Sequence, residues 1–256
     1  MRTTPDAQET PVPPPSSTRT AGGEGRHSAH IRHIIEGIFW IVGLVVLAVA
    51  SVMTRSHHDP WPGDVGFSHG LQSLNLGSIG TAFFSFMSSI NNPIPSAITL
   101  ALWFFFMLIM YWYRQAVFLL MAVGVGDFMD VLIGDYVSRP RPSPHIVHVV
   151  NSLQFNSFPS GHSEHVMVYY GFLLYLSLSK RVREWRYHWF LLPLQIFGVL
   201  NILMVGLARL EEGEHWLTDV LAGYLSGAIW LLLFIFLYRA VSDFLDRRRA
   251  GHIQAA

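Results

Sequence analysis

Apolar residues gather in six runs along the chain, each near the roughly 20 residues a helix needs to cross the hydrocarbon of a bilayer. They are Ile34 to Met53, Ile94 to Tyr113, Gln115 to Gly134, His162 to Leu178, Trp189 to Leu207 and His215 to Tyr238. The pattern predicts an all-α polytopic membrane protein whose six transmembrane helices form a bundle. A tight turn at Arg114 joins the second run to the third. Between the first two runs, Ser78, Thr81, Ser85 and Ser88 fall on one helical face with Ile79, Phe83, Phe86, Met87 and Ile90 opposite. That alternation predicts a short uncharged helix at the membrane interface, or equally a partly buried connector.

Residues 1–30 are rich in Pro, Ser, Thr and Gly, including Pro11-Val12-Pro13-Pro14-Pro15-Ser16-Ser17, and hold too little apolar surface to offset the entropy of ordering. The expected organisation is a disordered tail over residues 1–30, a membrane domain over residues 31–240 and a basic tail over residues 241–256. Ala48-Val49-Ala50-Ser51 resembles a signal-peptide cleavage site, but the long apolar run and the polar stretch before it favour a retained helix.

Composition agrees with a membrane protein: 51% of residues are hydrophobic and 13% are charged. Net charge is zero, and beyond Arg247-Arg248-Arg249 there is no basic block, which argues against a nucleic-acid partner. Cysteine is absent, so disulfides, thiolate nucleophiles and Cys-ligated zinc are excluded. Cytoplasmic loops carry the excess of Lys and Arg. With both termini inside, 13 basic residues lie on the cytoplasmic side and only Arg55, Arg139, Arg141 and Arg209 lie outside. The expected location is a cell membrane, multi-pass, with the chemistry facing outward.

The candidate chemistry lies in Pro159-Ser160-Gly161-His162 and in Arg209, His215 and Asp219, spaced R-x5-H-x3-D. On a helix, residues four apart share a face, so Asp219 is expected to hold one imidazole nitrogen of His215 and leave the other free. Arg141 and Arg209 supply forks for the oxygens of a phosphoryl group. Ser160 and Gly161 precede the fourth run, where a helix N-terminus offers free N–H groups to an anion.

With K-x6-R-P, P-S-G-H and S-R-x5-H-x3-D as the pattern, the chain resembles the type 2 phosphatidic acid phosphatase superfamily, the lipid phosphate phosphatases. The resemblance implies that His215 is a nucleophile forming a phosphohistidine, that Asp219 orients it and that His162 is the general acid for the leaving group. Arg141, Ser160, Gly161 and Arg209 then bind phosphate, and neither metal nor cofactor is required. The implied partners are the bilayer and a lipid phosphate or diphosphate, with undecaprenyl diphosphate and phosphatidate both eligible.

The pattern breaks at two positions: the lysine falls at Gly134, and the serine before the second arginine is Ala208. In an extended Arg139-Pro140-Arg141 segment, residues two apart point the same way, so Arg139 is a candidate replacement cation, or else an ordinary loop arginine. The lost lysine also leaves open a catalytically impaired relative that binds phospholipid without turnover. A transporter is disfavoured because the charges collect at one surface. His145, His148 and His165 lie near the site without an H-E-x-x-H pattern, which gives no metal prediction. Glu164, Glu211, Glu212 and Glu214 are expected to be solvated charges at the rim, and Asp127 and Asp130 to pair inside the bundle.

Overall fold

The computed structural model describes residues 21–74 and 76–255. Among them the fold is all-α: α1 (Ala21–Ser56), α2 (Pro62–Gln72), α3 (Gly77–Ser89), α4 (Pro93–Ile109), α5 (Tyr113–Val137), α6 (Gly161–Ser177), α7 (Lys180–Arg183), α8 (Leu192–Glu211) and α9 (Leu217–Ala255), with a 3₁₀ turn at His188–Leu191 before α8. The chain divides into a small unit ending at Phe39 and a main unit from Trp40 onward. The first helix begins inside the stretch expected to be disordered, and residues 1–20 of that stretch lie outside the described residues. Past residue 240 the chain continues α9 as helix.

Among the described residues, four helical segments are long and apolar enough to cross a membrane: His33–Ser56, Tyr113–Val137, His188–Glu211 and Leu217–Gly251. The pair α3 and α4, bent by 63°, counts as a fifth when taken as one broken span. The bend falls at Asn91-Asn92, where Pro93 opens α4 with a fixed φ suited to a first turn. The expected fourth span, His162 to Leu178, corresponds to α6, which is not among these: it has 17 residues, and its first turns are polar, Gly161 to His165.

In the main unit α6 is nonetheless the centre, packing on α5, α8 and α9. Val166, Val168, Tyr169, Phe172 and Leu176 are all buried there. Its contact with α9 is close enough to require glycine: a Cβ at Gly223 would collide with the Ser160 carbonyl, and one at Gly227 would stand 2.7 Å from the Glu164 carbonyl. The start of α6 and the start of α9 thus meet backbone to backbone. The ends of α5 and α8 and the start of α4 lie at the same end of the bundle, where every motif residue is found.

In α3, Met87 and Ser88 are buried while Ile79, Phe86, Ser78, Thr81 and Ser85 are exposed, so the helix buries one residue from each of its two expected faces near its C-terminal end. The serine side supplies a contact to the site described next.

Candidate active site

His215 does not lie on a helix; it occupies the short loop between α8 and α9, two residues before the first turn of α9. Its Nδ1 stands 2.8 Å from the backbone carbonyl of Ser157. A carbonyl can only accept, so Nδ1 carries the proton and Nε2 presents its lone pair. That lone pair faces Nη1 of Arg141 at 3.2 Å. Burial first, and then the charges of Arg141 and Arg209, hold the imidazole pKa well below its usual value, against the opposing pull of the Ser157 carbonyl. The result is a neutral imidazole with one free nitrogen aimed at a guanidinium.

The expected Asp219–His215 hydrogen bond is not the arrangement found, because His215 precedes the helix and the four-residue face relation does not apply. Asp219 Oδ2 instead accepts from Ser157 Oγ at 2.6 Å and from the Trp216 N–H at 2.9 Å, capping the first turn of α9. Its Oδ1 accepts from Arg139 Nη1 at 2.6 Å. Asp219 therefore acts on the imidazole through Ser157, by fixing the residue whose carbonyl grips Nδ1.

Arg139 is likewise not where the extended R-P-R reading puts it. It is fully buried between Asp219 and Asp64, with Nη2 at 3.0 Å from Asp64 Oδ2, and it also donates to Thr218 Oγ1 at 2.8 Å. Asp64 in turn accepts from the Thr218 N–H at 2.8 Å. Two carboxylates occupy this guanidinium, so Arg139 has no fork to spare for a phosphate.

Arg141 has the opposite environment. Its Nε donates to the Phe155 carbonyl and its Nη1 to the Glu214 carbonyl, both at 2.9 Å. Neutral acceptors orient it without cancelling its charge. Burial lowers its pKa, an effect partly offset by Asp219 and Asp130.

Arg209, at the end of α8, is intermediate between the two. Nη1 donates to Ser88 Oγ at 2.7 Å and to Glu212 Oε2 at 3.1 Å, and Nη2 pairs with Glu214. Glu212 and Glu214 are thus buried partners of Arg209, contrary to the expectation of solvated rim charges; burial raises the Glu212 pKa and Arg209 opposes that rise. Asn151 steadies Glu214 from the other side at 2.9 Å. Gly213 makes this turn with φ +66°, where any Cβ would strike the His148 carbonyl.

His162 in the first turn of α6 meets Asn92 Oδ1 at 3.0 Å through Nε2. With that oxygen as acceptor, Nε2 carries a proton pointing to the entrance of α4. Ser160 stands at the N-cap position of the same helix, and its N–H donates to the Asp219 carbonyl at 2.9 Å, which ties the loop before α6 to α9. Gly161 is needed for a close approach, since a Cβ there would lie 2.8 Å from Asp130 Oδ2.

Glu164 is fully buried, its backbone against α9 and its carboxylate beside α5, another correction to the solvated-rim expectation. Asp127 pairs with His165 Nδ1 at 2.9 Å, and His165 Nε2 meets Ser96 Oγ at 2.5 Å. His145 and His148 are exposed on the loop before the motif. Among the described residues, no group of three or more His, Asp or Glu side chains is arranged to hold a metal ion. At Gly134, a Cβ would meet the Phe158 carbonyl at 3.5 Å and Asn156 at 3.7 Å, which are ordinary contacts, so a side chain fits in this position.

Sequence reasoning missed Asp64, Ser157, Ser88 and Asn92. Ser157 alone had a signal, lying two residues before the Pro159-to-His162 motif.

The PAP2 superfamily matches residues 115–243, which include Arg141, Pro159 to His162, Arg209, His215 and Asp219. Phosphatidylglycerophosphatase B of Bacillus subtilis (strain 168) is 30% identical over 143 residues, 55% of this chain and 66% of that protein. Lipid phosphate phosphatase delta of Arabidopsis thaliana is 24% identical over 235 residues, 82% of this chain and 53% of that protein. The chain therefore spans between half and two thirds of the length of these relatives. The crystal structure of the first transmembrane PAP2 type phosphatidylglycerolphosphate phosphatase from Bacillus subtilis superposes with a TM-score of 0.60 at 18% identity, covering 80% of this chain and 96% of that one. With the family match covering half of the chain and the fold shared, this protein belongs to the PAP2 superfamily.

Proposed function

We propose that the protein is an integral membrane lipid phosphatase that removes phosphate from a lipid or prenyl phosphate or diphosphate through a phosphohistidine. The observation that carries this reading is the geometry at His215, with Nδ1–H on the Ser157 carbonyl and the Nε2 lone pair opposite Arg141.

A phosphoryl group needs cations on its equatorial oxygens, a nucleophile in line with the leaving oxygen and an acid to protonate that oxygen. Arg141, Arg209 and the N–H groups at the start of α6 form the cradle. Nε2 of His215 attacks phosphorus as the bond to the lipid oxygen breaks, and His162, entering as an imidazolium beside the charged phosphate, delivers its Nε2 proton to that oxygen and is left neutral; Asn92 Oδ1 marks the position of the acceptor. Water then cleaves the P–N bond, with His162 as base, and His215 returns to its neutral form. The substrate's lipid nature is supported by the membrane helices and by the names of both relatives. Outward orientation is supported by the 13-to-4 distribution of basic residues.

Gly134 in place of lysine and the pairing of Arg209 with Glu212 and Glu214 favour one rival, a phospholipid binder with impaired turnover. Phosphate release from a panel of lipid phosphates in detergent with chelator separates the two. The hydrolase reading expects release that persists with chelator, vanishes in His215→Ala and passes through an acid-labile phosphoprotein. Release abolished by chelator and restored by zinc would overturn the histidine mechanism, and no release at all would leave the binder. Because the chain has no cysteine, Ser152→Cys and Lys180→Cys test orientation: an impermeant thiol reagent should label only the former in intact cells.

A further inference from the structure

Between α4, α6 and α8 the protein holds an apolar cavity of about 200 Å³ that the chemistry above does not use. Thr99 and Tyr169 line its upper end, Met107 and Gly198 its walls, and Ser177 and Gln195 its far end. The two polar side chains at the far end satisfy each other, with Gln195 Nε2 donating to Ser177 Oγ at 2.9 Å. The far end therefore makes no demand for a polar guest, and the one buried hydroxyl without a hydrogen-bond partner among the lining residues, that of Tyr169, stands at the end nearer the site. Native interiors contain few voids larger than a water molecule, and apolar voids of about 150 Å³ stay dry and take up a six-carbon ring.

The cavity is aligned with the leaving-group side of the site. Asn92 meets His162, one turn deeper Ser96 meets His165, and the next turn brings Thr99 and Tyr169 to the cavity's upper end. At 1.5 Å per residue, Tyr169 lies about 10 Å below His162 and Ser177 about 12 Å further. Leu194 lines the cavity and is also 48% exposed, so on this side a single side chain lies between the space and the surface of the protein.

We propose that this cavity is a tail site, which takes roughly eight carbons of one hydrocarbon chain of the phosphate-bearing lipid while its phosphate stands at His215. The assignment rests on the lipid phosphatase reading and adds to it that one chain is recognised by protein and not left in the bilayer. The enzyme should then discriminate lipids by chain length, although the reaction itself is indifferent to it.

The test is phosphate release from phosphatidates of increasing chain length, dihexanoyl to dioleoyl, at fixed mole fraction in mixed micelles. In the wild type kcat/KM should rise with chain length and then level off. Gly198→Leu places four carbons where the atoms nearest a Cβ are those of Tyr170 and Leu174, at ordinary contact distances of 3.5–3.7 Å, and it should lower the long-chain to short-chain ratio of kcat/KM at least about tenfold. Met107→Ala enlarges the space and should move the plateau to longer chains. The ratio is internal to each variant, so a partly unfolded preparation does not imitate the effect. An unchanged ratio in both variants overturns the tail site, as does a bilayer lipid that copurifies with wild type but not with Gly198→Leu while the ratio stays constant. If the wild type releases phosphate from none of the lipids, the lipid phosphatase reading fails instead.

Discussion

Arg139 and Arg141 are separated by one proline, and their fates are opposite. Arg139 is sealed between Asp64 and Asp219, whereas Arg141 rests on the carbonyls of Phe155 and Glu214, and the Nη1 that donates to Glu214 also faces His215. At an effective dielectric of about 20, a carboxylate at 4 Å offsets a guanidinium by about 4 kcal/mol, which a neutral carbonyl does not. A cation becomes useful to an incoming phosphate only where the protein orients it with dipoles and not with charges. Arg209, held by a hydroxyl and two glutamates, lies between those extremes.

The sharpest way to break this contrast is to remove each arginine. Arg139→Ala leaves two buried carboxylates unpaired and should cost about 3–5 kcal/mol of stability, read as a large drop in melting temperature in detergent, with Gly134→Lys giving no rescue. Preserved melting with lost kcat/KM would return Arg139 to the phosphate site. Arg141→Ala should behave in the converse way: melting nearly unchanged, with kcat/KM lower by about 10²- to 10³-fold, the usual loss for one preorganised donor. Arg141→Lys should recover only part of this, because a point charge does not reproduce the fork.

A smaller effect is expected at Arg209. Glu214→Gln keeps an oxygen for Asn151 but removes one competing charge, so KM for a lipid phosphate should fall several-fold, up to about tenfold or 1.4 kcal/mol, with kcat less affected. A raised KM would show that Glu214 positions Arg209 and does not compete for it.

The smallest effect is on pH. Since His215 is held below the ordinary histidine pKa by burial and by Arg141 and Arg209, it stays neutral under mildly acidic conditions, and activity should be lost only when pH falls through that depressed value. Removing Arg141 removes a charge that disfavours the imidazolium, so in the residual activity of Arg141→Ala the acidic limb should move to higher pH. A limb that stays in place would assign the depression to burial and Arg209 and not to Arg141.

The spans and the motif loops could be read in the sequence because each depends on near neighbours: apolar runs of membrane length, a helix start after Ser160, an arginine six residues before His215. What could not be read depends on distant partners. Asp64 and Asp219 reach Arg139 across 75 and 80 residues, and no local pattern distinguishes the buried arginine from the available one. Glu164 reads as a rim residue because it follows the Pro159-to-His162 motif, but it is fully buried: its backbone abuts Gly227 of α9 and its carboxylate lies beside Gly126 of α5. The orienting group on His215 was misplaced because α9 starts at Leu217, two residues later than the spacing implied.

The sandwiched arginine also sets the order in which the protein can be completed during synthesis. Asp64 is made 75 residues before Arg139, but Asp219 follows it by 80. At about 5–20 residues per second, the ribosome needs roughly 4–16 s to supply that second carboxylate. Through that interval α5 is already made while the guanidinium of Arg139, two residues past its end, lacks its second carboxylate, and the first turn of α9 supplies that carboxylate and the anchor for Ser157 just after His215. A chain that stops before residue 215 therefore carries Asp64 and Arg139 but neither His215 nor the second carboxylate.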